Sequence, residues 1–294
     1  MTFKVELGGG SDQRADSGVW RDANPSHDNS LLLAGMLSAH TEAARVVTLG
    51  PLDATESQSP LFVRGSDVLV RGAGRGMTRI GGSGSAHSSW GCAVECSARR
   101  ITLEDMTIAS YVGRGEQSQV VGYGNAAAPK GGTLRLRRCN IIGGMFGVYD
   151  WWNGGNEITL EECTIIAARF PVCGGSSSGA NAAFWHLNRC RIVCDSSLHD
   201  TGRTPGTKSE KYRTAYGIYA NGGTIRATDC VFEITGDQDM AACLGVGIPP
   251  DAAIGTLVEL VRPVFRMTPN GAGRVAETES LQPGATITVD GVVR

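Results

Sequence analysis

The chain has 294 residues, 41% of them hydrophobic and 19% charged, with a formal net charge of −2 at pH 7. It is long enough to bury a sizeable core, yet it carries no basic field to hold nucleic acid and no apolar run long enough to span a membrane. The start, Met1-Thr-Phe-Lys-Val-Glu-Leu-Gly, lacks the apolar core of a secretory signal, so the compartment stays open. Forty-one glycines without a three-residue period exclude collagen and imply many turns and close backbone contacts.

In chain order, Asp28 can cap a helix whose apolar faces run through Leu31, Leu32, Leu33, Met36, Leu37 and Ala44. Val47, Leu49 and Leu52 read as an opening strand row. A partial row follows at Val68, Val70 and Ala73, broken at Arg75. Then one cassette recurs: Leu103-Glu-Asp-Met106-Thr-Ile108, Leu136-Arg-Arg-Cys139-Asn-Ile141, Leu160-Glu-Glu-Cys163-Thr-Ile165, Leu187-Asn-Arg-Cys190-Arg-Ile192, Ala227-Thr-Asp-Cys230-Val-Phe232 and Leu260-Val-Arg-Pro263-Val-Phe265. The anchor residues from 73 to 263 are separated by 33, 33, 24, 27, 40 and 33 positions. Residues 266–286 read as a long connection, and Ile287, Val289 and Val292 as a closing row.

Within each cassette the apolar places alternate, skip one, and alternate again. Alternation means strand, and the skip means a corner between two strands. Constant rows separated by variable lengths describe stacked coils with variable loops. The expected fold is therefore all-β: a single right-handed parallel β-helix of about seven to nine coils with an N-terminal capping helix. Its expected parts are an arm and cap at 1–50, the β-helix at 51–265, and a C-terminal connection and final strand at 266–294. Nine cysteines are odd in number and have no CxxC pair, so a complete disulfide framework is excluded and no metal site or cofactor is expected. Cys139, Cys163, Cys190 and Cys230 fall at one cassette position and read as reduced core residues. The residues before the anchors, Asp105, Arg138, Glu162, Arg189, Asp229 and Arg262, alternate in sign. Stacked, they form a column of ion pairs that sets register, which gives those acids a structural role.

With these residues in place, the stretch Asp28–Leu52, containing Arg45-Val-Val-Thr-Leu-Gly-Pro51, resembles the pectin-lyase-like superfamily, in particular its pectate-lyase-3-type and tailspike-like members. Val68-Leu-Val-Arg-Gly-Ala-Gly-Arg-Gly-Met-Thr-Arg-Ile80 is similar to the Gly-x-Gly-x-x-x-Thr-x-Ile turn of an early coil in that superfamily. The Gly-Asp-Gly-x-x-Asp-Asp signature is absent, as are the Asn-Thr-Asp, Asp-Asp, His-Gly and Arg-Ile-Lys segments of polygalacturonase-type hydrolases. The resemblance implies an architecture; it does not name a reaction.

Function in such a solenoid is expected on a lateral face. Tyr149-Asp150-Trp151-Trp152 pairs aromatic rings with a carboxylate, a combination suited to stacking on a sugar while bonding its hydroxyls; the alternative is packing beneath a loop. Tyr123 and Tyr219 are expected to extend that surface. The 195–213 insertion brings His199, Asp200, Arg203, Lys208, Glu210, Lys211 and Arg213. Asp150 with Asp200 or Glu210 is the candidate carboxylate pair for glycoside cleavage, and Tyr123, Tyr149, Trp151, Trp152, His199, Lys211 and Arg213 are the candidate ligand-binding residues. His186 reads as an ordinary surface histidine. Two functions are carried forward. One is a non-catalytic structural or appendage protein, for instance a virion tail or capsid component, that forms a homo-oligomer or larger assembly. The other is a polysaccharide-cleaving enzyme with a lateral groove.

Overall fold

The computed structural model describes residues 33–38, 44–57, 61–82, 92–110, 119–123, 131–150, 155–174, 183–195, 198, 214–235, 242–267 and 274–294. Each turn of the chain lays down three strands, and each strand pairs in parallel with its counterpart one turn away. The first sheet holds β1 (Arg45–Thr48), β4 (Asp67–Arg71), β7 (Arg100–Glu104), β10 (Thr133–Arg137), β13 (Glu157–Glu161), β16 (Phe184–Asn188), β19 (Thr224–Thr228), β22 (Leu257–Val261), β25 (Thr286–Val289) and β26 (Val292–Val293). The second holds β2 (Leu52–Ser57), β5 (Thr78–Gly82), β8 (Thr107–Ser110), β11 (Asn140–Gly143), β14 (Thr164–Ala167), β17 (Arg191–Asp195), β20 (Val231–Thr235) and β23 (Val264–Met267). The third holds β3 (Leu61–Val63), β6 (Cys92–Cys96), β9 (Gln119–Tyr123), β12 (Phe146–Asp150), β15 (Phe170–Gly174), β18 (Thr214–Ala220), β21 (Ala242–Ile248) and β24 (Arg274–Ser280). Such a chain is a parallel β-solenoid, rising about 4.8 Å per coil.

The lumen is filled by like on like. Ile101, Leu134, Ile158, Trp185, Ile225 and Val258 stack in the first sheet, and Ile80, Ile108, Ile141, Ile165, Ile192, Phe232 and Phe265 in the second. Nearly all are closed to solvent. Ile80, not Arg75, is therefore the last place of the partial row. That corner runs from 72 to 77 instead of two residues, so Thr78 takes the place opposite Met106 and exposed Ala73 does not. Thr78 fits the apolar lumen because its hydroxyl accepts the Ala73 amide at 2.8 Å and donates to the Gly50 carbonyl at 2.7 Å.

The two-residue corners share one backbone geometry. Asp105, Arg138, Glu162, Arg189, Asp229 and Arg262 have φ between 49° and 58°, the left-handed region. One left-handed residue turns the strand and lets the anchor behind it point inward. Arg138 makes a bidentate pair with Asp105 at 2.6 Å, Arg189 meets Glu162 at 2.7 Å, and Arg262 clamps Asp229 at 2.7 and 2.8 Å. Each arginine reaches back one coil, so the alternating column is a series of dyads. It extends to Asp290 (φ 48°), which accepts the Arg262 amide and which the sequence reading did not include.

Behind the corners, the thiols of Cys139, Cys163 and Cys190 donate to the carbonyls of Leu103, Leu136 and Leu160 in the preceding coil, at 3.3–3.4 Å. All nine cysteines are free and buried.

At the N-terminal end, residues 33–38 are helical and place Leu33 and Leu37 on the first coil; the Asp28 cap lies outside the described residues, and Ala44 is exposed rather than helical. Arg45 occupies a lumen position opposite Val68. Its guanidinium donates to the carbonyls of Met36, Leu37 and Arg64 at 2.7, 3.0 and 2.5 Å, tying the helix to the coil. At the other end, the segment expected as a connection also holds β24, and Val292 is not a lumen residue. The chain reverses at Asp290, and β26 returns antiparallel to β25 with Val292 exposed.

Candidate saccharide-binding face

The three sheets differ in what they show to solvent. The first is charged: Arg71 and Arg137 flank the buried carboxylate of Glu104, Arg135 meets Glu161, and Arg226 meets Glu259. His186 sits here beside Phe184, with ring centroids 5.8 Å apart. These groups are occupied with one another.

The third sheet is aromatic. Its strands repeat a short pattern: Phe146-Gly-Val-Tyr149, Phe170-Pro-Val-Cys173, Tyr216-Gly-Ile-Tyr219 and Leu244-Gly-Val-Gly247. The branched residue of each, Val148, Val172, Ile218 and Val246, belongs to the lumen. The first and fourth residues turn outward and build a second apolar cluster of Phe146, Tyr149, Phe170, Cys173, Tyr216, Tyr219 and Leu244. Strict alternation would put residues three apart on opposite sides, so the strand is kinked. In three of the four strands glycine stands at the kink, where the backbones approach closely: a Cβ on Gly217 would lie 2.6 Å from the Gly245 carbonyl oxygen, and one on Gly245 would lie 2.6 Å from that of Glu277; β15 has Pro171 there.

Five rings thus run along the solenoid axis over three successive coils. Phe146 meets Tyr149 edge-on at 5.2 Å and Phe170 at 5.1 Å; Phe170 meets Tyr219 at 5.0 Å, and Tyr219 meets Tyr216 edge-on at 5.2 Å. Arg169 lies over Phe170 at 4.6 Å, held by two bonds to the Thr214 carbonyl. Tyr149, Tyr219 and Phe146 stay partly exposed, while Phe170 and Tyr216 form the floor. Burial first, then the Cys173 and Asp150 charges, raise the Tyr149 hydroxyl; burial and Asp251 do the same for Tyr219. Both phenols stay protonated as donors. At the rim, Arg274 is paired bidentately with Glu279 at 2.5 and 2.7 Å.

Of the residues singled out from the sequence, Tyr149 and Tyr219 meet on this face. Tyr123 does not: it is 1% exposed, in the lumen, with its hydroxyl 3.4 Å from the Ala98 and Arg99 carbonyls. Asp150 also turns inward, opposite Tyr123 and 2% exposed, because Tyr149 before it takes the outward place. Its carboxylate is not available to a substrate lying on the outer face. Trp151, Trp152, His199, Asp200, Glu210, Lys211 and Arg213 lie outside the described residues. Phe146, Phe170, Tyr216 and Arg169 were not singled out, although the aromatic–Gly/Pro–branched repeat was present to find them. Among the described residues no group of three or more acids, histidines or cysteines is placed to hold a metal ion.

No protein-family model matches the chain, and no curated protein does. Solved structures do. Pectin methylesterase PemA from Erwinia chrysanthemi is similar over 93% of this chain and 92% of its own, at 11% identity and a TM-score of 0.53. A mutant pectin methylesterase in complex with hexasaccharide IV is similar over 94% and 90%, at 13% identity and a TM-score of 0.51. A third, in complex with hexasaccharide VII, covers 88% and 86% at 12% identity and a TM-score of 0.51. Identity this low speaks to architecture, and with the three stacked parallel sheets it gives the conclusion: the chain has a right-handed parallel β-helix fold like that of these pectin methylesterases.

Proposed function

We propose that this protein binds and processes a polysaccharide, with the chain of sugars lying on the outer face of the third sheet. The observation that carries the reading is the five-ring outward cluster, which offers stacking surface together with the Tyr149 and Tyr219 hydroxyls. Apolar sugar faces stack on rings, and phenols bond sugar hydroxyls. The same fold in the pectin methylesterases, two of them with bound hexasaccharides, supports a carbohydrate role. Nothing in the comparisons supports a virion component.

Glycoside hydrolysis uses a pair of acidic groups. With Asp150 turned inward, we assign that role to Asp200 and Glu210, with His199, Lys211, Arg213, Trp151 and Trp152 as ligand contacts. The test is affinity electrophoresis in gels carrying methyl-esterified pectin, de-esterified pectin, xylan or a neutral glucan, followed by assay for released methanol and new chain ends. Retardation by at least one polymer, abolished by Tyr149→Ala with Tyr219→Ala, is expected. Equal mobility in every gel rejects the binding reading; binding with an Asp200→Asn, Glu210→Gln variant as active as the wild type rejects only the acid assignment.

A further inference from the structure

Asp150 has no part in the binding face, yet its surroundings are unusual for a carboxylate. Its Oδ1 accepts from Asn156 Nδ2 at 2.9 Å, and Asn156 Oδ1 accepts the Gly132 amide at 3.1 Å. These bonds join the end of β12 to the segments entering β13 and β10, at the seam between third and first sheets. Asn156 is itself buried, and the second carboxylate oxygen, Oδ2, is buried without a hydrogen-bond partner among the described residues. An ionised carboxylate there gives up water on one oxygen and gains nothing in return, whereas the neutral acid gives up far less.

Among the described residues, the titratable groups facing it are Tyr123 from the preceding coil, Tyr149 beside it and Cys173 from the following coil. None is a cation, and a charge on Asp150 raises all three. Burial lifts the Asp150 carboxyl to about 7, against a smaller lowering by the Asn156 bond.

We propose that Asp150 is a proton-operated clasp: the neutral acid stays packed in the dry seam beside Asn156 and Gly132, and on ionisation the demand of its unpaired Oδ2 for water outweighs the stronger Asn156 bond and loosens this seam. The clasp directly follows Tyr149, which faces outward from the same strand. The inference stands whether or not that face binds a saccharide.

Amide hydrogen exchange at Gly132, corrected for the intrinsic pH dependence, tests it in wild type and in Asp150→Asn between about pH 5.5 and 8.5. Wild-type protection is expected to fall at least about tenfold as pH rises through the titration, and the variant to be flat. Constant wild-type protection, or a variant that falls in step with the wild type, overturns the proposal. Should the variant not fold, carboxyl-carbon NMR of wild-type Asp150 decides: a midpoint above about 5.5 upholds the clasp, and one at or below it removes the clasp.

Discussion

Replacing Arg138 by glycine and by valine, and doing the same at Arg137, tests the corner geometry. Arg138 has φ 49°, whereas Arg137 is the last residue of an extended strand. Both side chains form ion pairs, and both substitutions remove them, so the difference between the two variants at one site isolates the backbone. A residue with a Cβ in the left-handed region costs roughly 1–2 kcal/mol, and a branched one is worse. Glycine avoids that cost but loses about 0.4–1 kcal/mol through the freedom it adds to the unfolded chain. Arg138→Gly should therefore be more stable than Arg138→Val by about 1 kcal/mol. At position 137 the order should invert by a similar amount, since a half-exposed strand site favours the branched residue. The swing between adjacent positions is about 2 kcal/mol, well within reach of urea unfolding followed by far-UV circular dichroism, provided the four slopes agree. If Arg138→Val is as stable as Arg138→Gly, the left-handed corner is not what turns the chain.

Three further outcomes are expected. Because burial raises the Asp150 carboxyl to about 7, its protonated form contributes stability that is complete below about pH 4 and lost as pH climbs through 7. Asp150→Asn should thus match the wild type near pH 4 and exceed it by up to about 4 kcal/mol at pH 8, roughly three units at 1.4 each; equal urea midpoints at pH 8 would count against a buried, half-bonded carboxylate. All nine thiols are buried, so a thiol reagent should label none in the folded protein and all nine after unfolding; native labelling at Cys139, Cys163, Cys190 or Cys230 would deny them the lumen. Arg45→Met removes three bonds to backbone carbonyls and should cost on the order of 3 kcal/mol, with faster exchange of the Arg64 amide, which bonds to Leu37; unchanged exchange would show that Arg45 does not fasten the helix.

The solenoid was legible because its lumen repeats chemistry at fixed offsets. Ile108, Ile141, Ile165 and Ile192 recur two residues after Met106, Cys139, Cys163 and Cys190, and the structure stacks them. The charge column was legible too, but not its backbone: sign alternation says nothing about φ, and arginine or glutamate is an uncommon choice for a left-handed corner. The Arg75 break was legible only as a misfit, since a longer corner moves the lumen role to Thr78 without leaving an apolar mark. The aromatic face was half legible. Tyr149 and Tyr219 announced themselves as aromatics, but a period of two assigns Phe146 and Tyr149 to opposite sides, and only the kink at Gly147 unites them. Asp150 was expected at the surface because it is a carboxylate, although alternation from Tyr149 turns it inward with Val148; that it meets Asn156 there is a property of the seam between coils.

The most direct measurement is calorimetric titration of a retarding polysaccharide, or its oligosaccharides, into wild type, Phe146→Ala, Tyr219→Ala and Phe184→Ala. The first two variants remove rings from the third sheet's outer face; the last removes an exposed ring from the charged first sheet. At about 1–1.5 kcal/mol per stacked ring, affinity should fall roughly tenfold for Phe146→Ala and for Tyr219→Ala and stay unchanged for Phe184→Ala. Binding that survives both third-sheet substitutions, or is lost with Phe184→Ala, would contradict the assignment of that face.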